Sequence, residues 1–105
     1  MEANDLLEQV KSNLIVTFVD DDNLILSFIS ASISYAEGYQ HLDEGYYKTH
    51  EMSERTRQGI IMLASHFYES RDGSTGGFFA DSTNASEQVY KTVNRLLALD
   101  REWKV

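Results

Sequence analysis

Apolar residues recur at helical spacing in four segments of the chain, and this pattern predicts four α-helices. The first segment covers about residues 5–13, where Leu6 and Val10 share one face at i, i+4. The second runs from acidic residues 20–22 to about Tyr39 and carries a broad apolar stripe. Aspartates at a helix start cap free N–H groups and suit the positive end of the helix dipole, so we interpret residues 20–22 as a cap.

The third helix is expected at about residues 53–70, with Ser53 as its N-cap. It should be the most buried of the four, and its inward face comprises Ile60, Leu63, Ala64, Phe67 and Tyr68. The fourth helix is expected at about residues 84–100, where Asn84 and Glu87 have the spacing of a capping box. Its inward face comprises Val89, Tyr90, Val93, Leu96 and Leu97.

Three connections separate these helices. Residues 14–18 form an apolar linker, for which a short strand is the alternative. Residues 40–52 form a polar loop, and residues 71–82 form a long loop rich in glycine, of the kind that is often functional. The chain of 105 residues is therefore predicted to be a single, small, all-α four-helix domain with a long Gly-rich loop between its last two helices.

The charge of the chain argues against a protein that binds nucleic acid. The formal net charge is −8, and residues 1–52 carry all of it, with ten acidic and two basic residues. Residues 53–105 hold seven of each sign. Tight binding of phosphates needs a basic patch, and the sequence has none. We therefore expect no tight or specific DNA binding.

The sequence offers no pattern typical of a catalytic, cofactor or metal site. His41, Asp43, Glu44 and His50 match no common spacing of metal ligands, so a polar loop is the simpler interpretation. His66 has no nucleophile in a recognisable context. The Gly-rich loop lacks the lysine and the strand-to-helix setting of a phosphate-binding loop. These observations predict a non-enzymatic protein without cofactor or metal.

Other features bear on the compartment. The chain has no cysteine, and its most apolar run, residues 24–29, is far too short to cross a bilayer. The first residues are acidic and lack the basic and apolar regions of a signal peptide. We therefore expect a protein made in the cytoplasm, with no membrane span.

Aromatic residues in the long loop and in the tail are candidates for partner contacts. Interfaces are enriched in such side chains, although burial in the subunit's own core is the alternative. The predicted contact residues are Gly73, Gly76, Gly77, Phe78, Phe79, Arg101, Trp103 and Lys104.

Three segments carry a resemblance to a known family. Residues 6–11 read Leu-Leu-Glu-Gln-Val-Lys, an acidic run precedes the long second helix, and residues 57–71 end in His-Phe-Tyr-Glu-Ser-Arg. With the Gly-rich loop and the final helix, they resemble the head–tail connector (adaptor, or DNA-packaging) proteins of tailed bacteriophages over nearly the whole chain. Ser53 departs from the proline common in the family, and the Gly-Arg ending of the second helix is absent.

The resemblance implies a structural subunit of the virion's head–tail junction, made in the cytoplasm of a bacterial host. Such subunits form a ring, of about twelve copies by the usual portal symmetry. The ring docks on the portal protein, extends the DNA channel and links to the next head-completion or tail protein. Double-stranded DNA passes through without specific binding, which an acidic or neutral wall favours. The alternative is a small cytosolic helical regulatory or binding module, acting as a monomer or dimer.

Overall fold

The structure is a computed structural model that describes residues 3–70 and 79–100, with side chains for residues 4–70 and 87–100. Five helices lie in these ranges. They are α1 (Ala3–Leu14), α2 (Asp22–Tyr39), α3 (Tyr46–Thr49), α4 (Glu54–Ser70) and α5 (Phe79–Ala98). These described ranges contain no strand. The predicted all-α class is therefore confirmed, and the alternative of a strand at residues 14–18 is wrong.

Two elements differ from the prediction of four helices. The loop at residues 40–52 contains the short helix α3. Helix α5 begins at Phe79, so Asn84 lies inside it and the capping box predicted there is wrong. The segment between α4 and α5, residues 71–78, lies outside the described residues, and with it most of the predicted Gly-rich loop.

Helix α4 lies at the centre of the fold, as its wide apolar face predicts. Helices α2 and α5 pack along it, and α1 packs against both α2 and α4. Within the described ranges α1 and α5 do not contact each other. The core is filled by fully buried aliphatic residues from four helices, among them Leu6, Val10, Ile25, Ile29, Ile60, Leu63, Val93 and Leu97. Burial of such side chains contributes roughly 1.5–3 kcal/mol each.

Asp21 and Asp22, at the start of α2, act mainly as tertiary contacts. Asp21 is the N-cap residue of α2, but its side chain makes no capping hydrogen bond. It accepts a hydrogen bond from the Tyr68 hydroxyl of α4 instead. The carboxylate of Asp22 pairs with the amine of Lys11, 2.7 Å away, and thereby ties α1 to α2. The capping interpretation is thus wrong for Asp21, whereas Ser53 does cap α4, accepting the Thr56 N–H at 3.2 Å.

Candidate functional site

The residues predicted to contact partners lie almost entirely outside the described part of the chain. Gly73, Gly76, Gly77 and Phe78 precede α5, and Arg101, Trp103 and Lys104 follow its end. Phe79 is the first residue of α5, and its side chain is not among those described. Their role therefore stays a prediction. The structure does describe how α5, which connects the two segments, is attached.

Asp100, just beyond α5, is held by the start of α4. Its Oδ2 accepts a hydrogen bond from Thr56 Oγ1 at 2.7 Å and another from the Ser53 hydroxyl. Its Oδ1 lies 3.2 Å from Nη2 of Arg55. Three side chains at the start of α4 thus bind the carboxylate of Asp100. The tail that begins at residue 101 therefore starts from a fixed position.

A second set of hydrogen bonds lies beneath Asp100 and is fully buried. Gln40, which follows α2, donates from Nε2 to Thr56 Oγ1 at 2.8 Å and to the main-chain carbonyl of Leu97 at 3.1 Å. Its Oε1 accepts a hydrogen bond from the Tyr47 hydroxyl. We call Gln40, Tyr47, Ser53, Thr56 and Asp100 the polar cluster. It joins the ends of α2 and α5, helix α3 and the start of α4 at one place.

Glu37 explains why a helix as short as α3 forms. Glu37 is 3% exposed, and its carboxylate accepts hydrogen bonds from the backbone N–H of Gly45 at 3.1 Å and of Tyr47 at 2.9 Å. These N–H groups belong to the start of α3 and have no partner within so short a helix. Gly45 adopts a φ of +84°, a conformation that glycine adopts without a steric penalty. A buried carboxylate and one glycine therefore place Tyr47 in the polar cluster.

The cluster shifts the pKa values of two of its members. Burial opposes ionisation of Asp100, but hydrogen bonds from Ser53, Thr56 and Arg55, with the charge of Arg55, hold its pKa below the ordinary value. Burial raises the pKa of the Tyr47 phenol. Asp100 is therefore kept charged and Tyr47 neutral, as their hydrogen bonds require. The cluster is suited to positioning helix ends rather than to reacting with a substrate.

The connection between α1 and α2 has an unusual backbone and an apolar surface. Helix α1 ends in a Schellman motif, in which the N–H of Val16 bonds to the Lys11 carbonyl at 2.9 Å and that of Ile15 to Ser12 at 3.3 Å. The left-handed position of this motif usually holds glycine, but here it holds Ile15 with φ +58°. A β-branched residue in this conformation is strained, by roughly 1–2 kcal/mol.

Three apolar side chains of this connection face solvent. Ile15 is 86% exposed, Val19 is 70% exposed and Phe18 is 49% exposed. Sequence reasoning missed this surface, because apolar residues in a linker look the same whether they face the core or solvent. The available signal was an apolar run without helical or strand periodicity, directly before an acidic run. We call residues 15–19 the apolar connection.

The histidines and carboxylates of the loop at residues 40–52 do not come together. The His50 ring stacks on Tyr46 with ring centroids 3.9 Å apart, and Glu37 rather than Asp43 or Glu44 is the buried carboxylate nearby. Among the side chains described, those of residues 4–70 and 87–100, no three of ligand type lie close enough to hold a metal ion. None of the helices in those ranges is long and apolar enough to cross a membrane.

Comparison with known proteins gives a family match. A family model described as phage gp6-like head–tail connector protein matches residues 4–101, which is nearly the whole chain. Neither curated proteins nor solved structures give a match.

Proposed function

The chain belongs to the phage gp6-like head–tail connector family and is a structural connector protein of the virion, and we propose that it acts as one subunit of a ring. The ring docks on the portal protein, continues the DNA channel and presents its other face to the next head-completion or tail protein. About twelve copies follow from the usual symmetry of portals. The observation that carries this proposal is the family match over residues 4–101.

The charge of the chain supports passage of DNA without retention. With a net charge of −8, a channel built from this chain repels phosphate overall. It also offers few sites for the counterion release that drives nonspecific DNA binding. Duplex DNA therefore slides past the ring and is not held by it.

The long loop and the tail are the proposed contacts with the portal or the next protein. Gly73, Gly76 and Gly77 make the loop costly to order in isolation, so a partner is needed to fix it. Docking of Phe78, Phe79 and Trp103 would supply apolar area, at roughly 1.5–3 kcal/mol for each ring buried. The contact residues Arg101 and Lys104 flank Trp103 in a tail that starts beside the anchored Asp100.

Two measurements on the purified chain test the ring. Native mass spectrometry over a range of concentrations gives the copy number, and electron microscopy shows whether the oligomer is closed. The same chain is then mixed with portal protein and fractionated by size. A closed ring, alone or on the portal, is expected. A chain that remains monomeric or dimeric at high concentration and also fails to bind the portal contradicts the proposal.

The loop and tail contacts are tested by the double variant Phe78→Ser/Phe79→Ser and by Trp103→Ala. Each should keep helical circular dichroism and the thermal midpoint of the wild type but lose ring formation or portal binding. Variants that unfold would assign these aromatics to the subunit's own core. Variants that fold and assemble normally would exclude the loop and tail as contacts.

A further inference from the structure

Two exposed helix faces lie on different sides of the subunit and carry opposite charge. Helices α1 and α5 each pack on the central pair α2 and α4, and they do not touch each other within the described residues. One subunit therefore cannot bring its own α1 surface against its own α5 surface. Any contact between these two faces must join different copies of the chain.

The α1 face combines an acidic residue with the apolar connection. Glu8 and Ser12 are exposed on the outer side of α1, and a shallow groove runs from them past Lys11 to residues 15–17 and Val19. The charge of Lys11 is compensated by Asp22, so Glu8 gives this end of the groove its net charge. Ile15 remains at the left-handed position despite its backbone strain and its exposure to water. Such an outlier is better explained by a contact that needs the side chain than by the stability of the isolated subunit.

The α5 face carries basic residues followed by an apolar one. Lys91, Arg95 and Leu99 follow one another at i, i+4 along the outer side of the helix and its end, and all three are exposed. Leu99 is 70% exposed. Glu87 lies one turn before Lys91 and offsets part of its charge, so Arg95 is the better partner for an acid. Within residues 4–70 and 87–100, Arg95 forms no ion pair.

The two faces match in the order of their residues, a charged residue followed by an apolar one. On α1, Glu8 precedes Ile15 by about 10 Å along the helix axis, at 1.5 Å per residue. On α5, Arg95 precedes Leu99 by about 6 Å and Lys91 precedes it by about 12 Å on the same scale. The long side chains of Glu8 and Arg95 therefore have to cover a difference of about 4 Å when Leu99 lies beside Ile15. When the two helices run in the same direction, Glu8 therefore faces a basic residue of α5, and Ile15 faces Leu99.

From this match we infer that neighbouring subunits join by seating the Lys91–Arg95–Leu99 row of one copy on the groove formed by Glu8, Ser12, Ile15 and Val19 of the next. Leu99 enters the groove beside Ile15, and Arg95 pairs with Glu8. The occupant is a second copy of this chain, because the groove is acidic at one end and the row offers the complementary base and apolar residue.

This contact deepens the ring proposed above and depends on it. It uses a different surface on each partner, so each bound copy leaves one α1 face and one α5 face open for the next. Contacts of this type continue head to tail until the rotation closes a ring. The contact therefore specifies how identical subunits form a ring without a separate linking protein.

A charge exchange tests the pairing of Glu8 with Arg95. Assembly, in the presence of portal protein if the wild type requires it, is measured for Glu8→Lys, for Arg95→Glu and for the chain with both changes. Each single reversal places like charges together and should weaken the contact about tenfold or more. The double variant restores opposite charges and should recover assembly. Lys48→Glu reverses an exposed base of α3, on neither face, and should assemble normally.

Cysteine cross-linking gives a test that does not depend on affinity. The chain has no cysteine, so the pair Asp5→Cys and Thr92→Cys introduces the only thiols, each three residues before one member of the Glu8–Arg95 pair. Because α1 and α5 do not touch within a subunit, oxidation should produce a ladder of covalent oligomers. Each single cysteine variant should stop at dimers. Asp5→Cys combined with Lys48→Cys, which is on neither face, should give no ladder.

The outcomes separate the two proposals. A wild type that neither self-associates nor binds the portal overturns the proposed ring. A wild type that assembles while the single reversals also assemble normally, with no cross-linked ladder, overturns this contact alone. Ile15→Asn adds an independent readout: it should keep the fold and lose assembly, and normal assembly of this variant would also contradict the contact.

Discussion

The side-chain amide of Gln40 donates to the main-chain carbonyl of Leu97 at 3.1 Å, across 57 positions of the chain. The same amide nitrogen also donates to Thr56 Oγ1, and the amide oxygen accepts a hydrogen bond from the Tyr47 hydroxyl. One fully buried side chain after α2 therefore satisfies polar groups from α3, α4 and α5. Removing it should disturb all three helices at once.

Gln40→Ala should lower the free energy of unfolding by roughly 2–4 kcal/mol, because it leaves a cavity and buried polar groups without partners. Chemical denaturation followed by circular dichroism measures the change. Gln9→Ala, at an exposed position of α1, is the matched control and should stay within about 0.5 kcal/mol of the wild type. Equal effects of the two variants would show that the buried bonds contribute little.

Asp100 should make stability depend on pH in the acidic range. Its pKa in the folded state lies below the ordinary value of 3.8, so the unfolded chain takes up the proton first as pH falls. Its stabilisation is therefore present above about pH 3.8 and is lost as pH falls through the folded-state pKa. Asp100→Asn should be less stable than the wild type at pH 7, and the deficit should narrow at pH 3. A deficit that is the same at both values would mean that the charge of Asp100 is not what matters.

Ile15 and Gly45 should respond in opposite ways to substitution. Both have positive φ, but Ile15 is strained there and Gly45 is not. Ile15→Asn should raise the free energy of unfolding by about 1 kcal/mol, since asparagine tolerates the left-handed conformation. Gly45→Ala should lower it by a similar amount. Thermal melts of the two variants beside the wild type decide this, and destabilisation by Ile15→Asn would disprove the strain.

Two helical glycines should differ in how they accept alanine. Nothing lies within 4 Å of a Cβ placed on Gly38, so Gly38→Ala should stabilise α2 by up to about 1 kcal/mol through helix propensity. A Cβ on Gly59 would lie 3.4 Å from Leu97 Cδ2, so Gly59→Ala should gain less. Gly59→Val should lose about 1–3 kcal/mol, because the larger side chain separates α4 from α5. The same denaturation assay ranks the three variants.

Duplex DNA should not bind the isolated chain tightly. A gel-shift titration at low salt is the most demanding test, because low ionic strength favours every phosphate contact. Only weak binding is expected from a chain of net charge −8. Submicromolar affinity under these conditions would contradict the prediction and would require a basic surface that the sequence does not suggest.

The long helices could be predicted from the sequence, because their apolar faces repeat over several turns. Helix α2 ends at Tyr39 and α4 ends at Ser70, both as expected. Helix α3 could not be predicted, since four residues carry no periodicity and its support comes from Glu37, outside the helix. The predicted start of α5 lies too late in the chain, because the spacing of Asn84 and Glu87 is only a weak signal against helix propagation.

The candidate surfaces were harder to predict than the helices. The polar cluster joins Gln40 to Leu97 and Thr56 to Asp100, and no local pattern connects positions so far apart. The exposure of Ile15 depends on a left-handed backbone that sequence patterns assign to glycine. Opposite charges on α1 and α5 are visible in the sequence, but only the packing shows that they lie on separate sides of the subunit.

The position of Leu97 and Asp100 also matters while the protein is being synthesised. Gln40 emerges from the ribosome long before Leu97, so in a nascent chain that has reached only α4 its amide can bond to Tyr47 and Thr56 but lacks its third partner. The fold can be completed only after α5 has been translated. Chains cut short before α5 would lack the bonds that Leu97 and Asp100 contribute to the cluster, and their less stable fold would be more open to proteolysis.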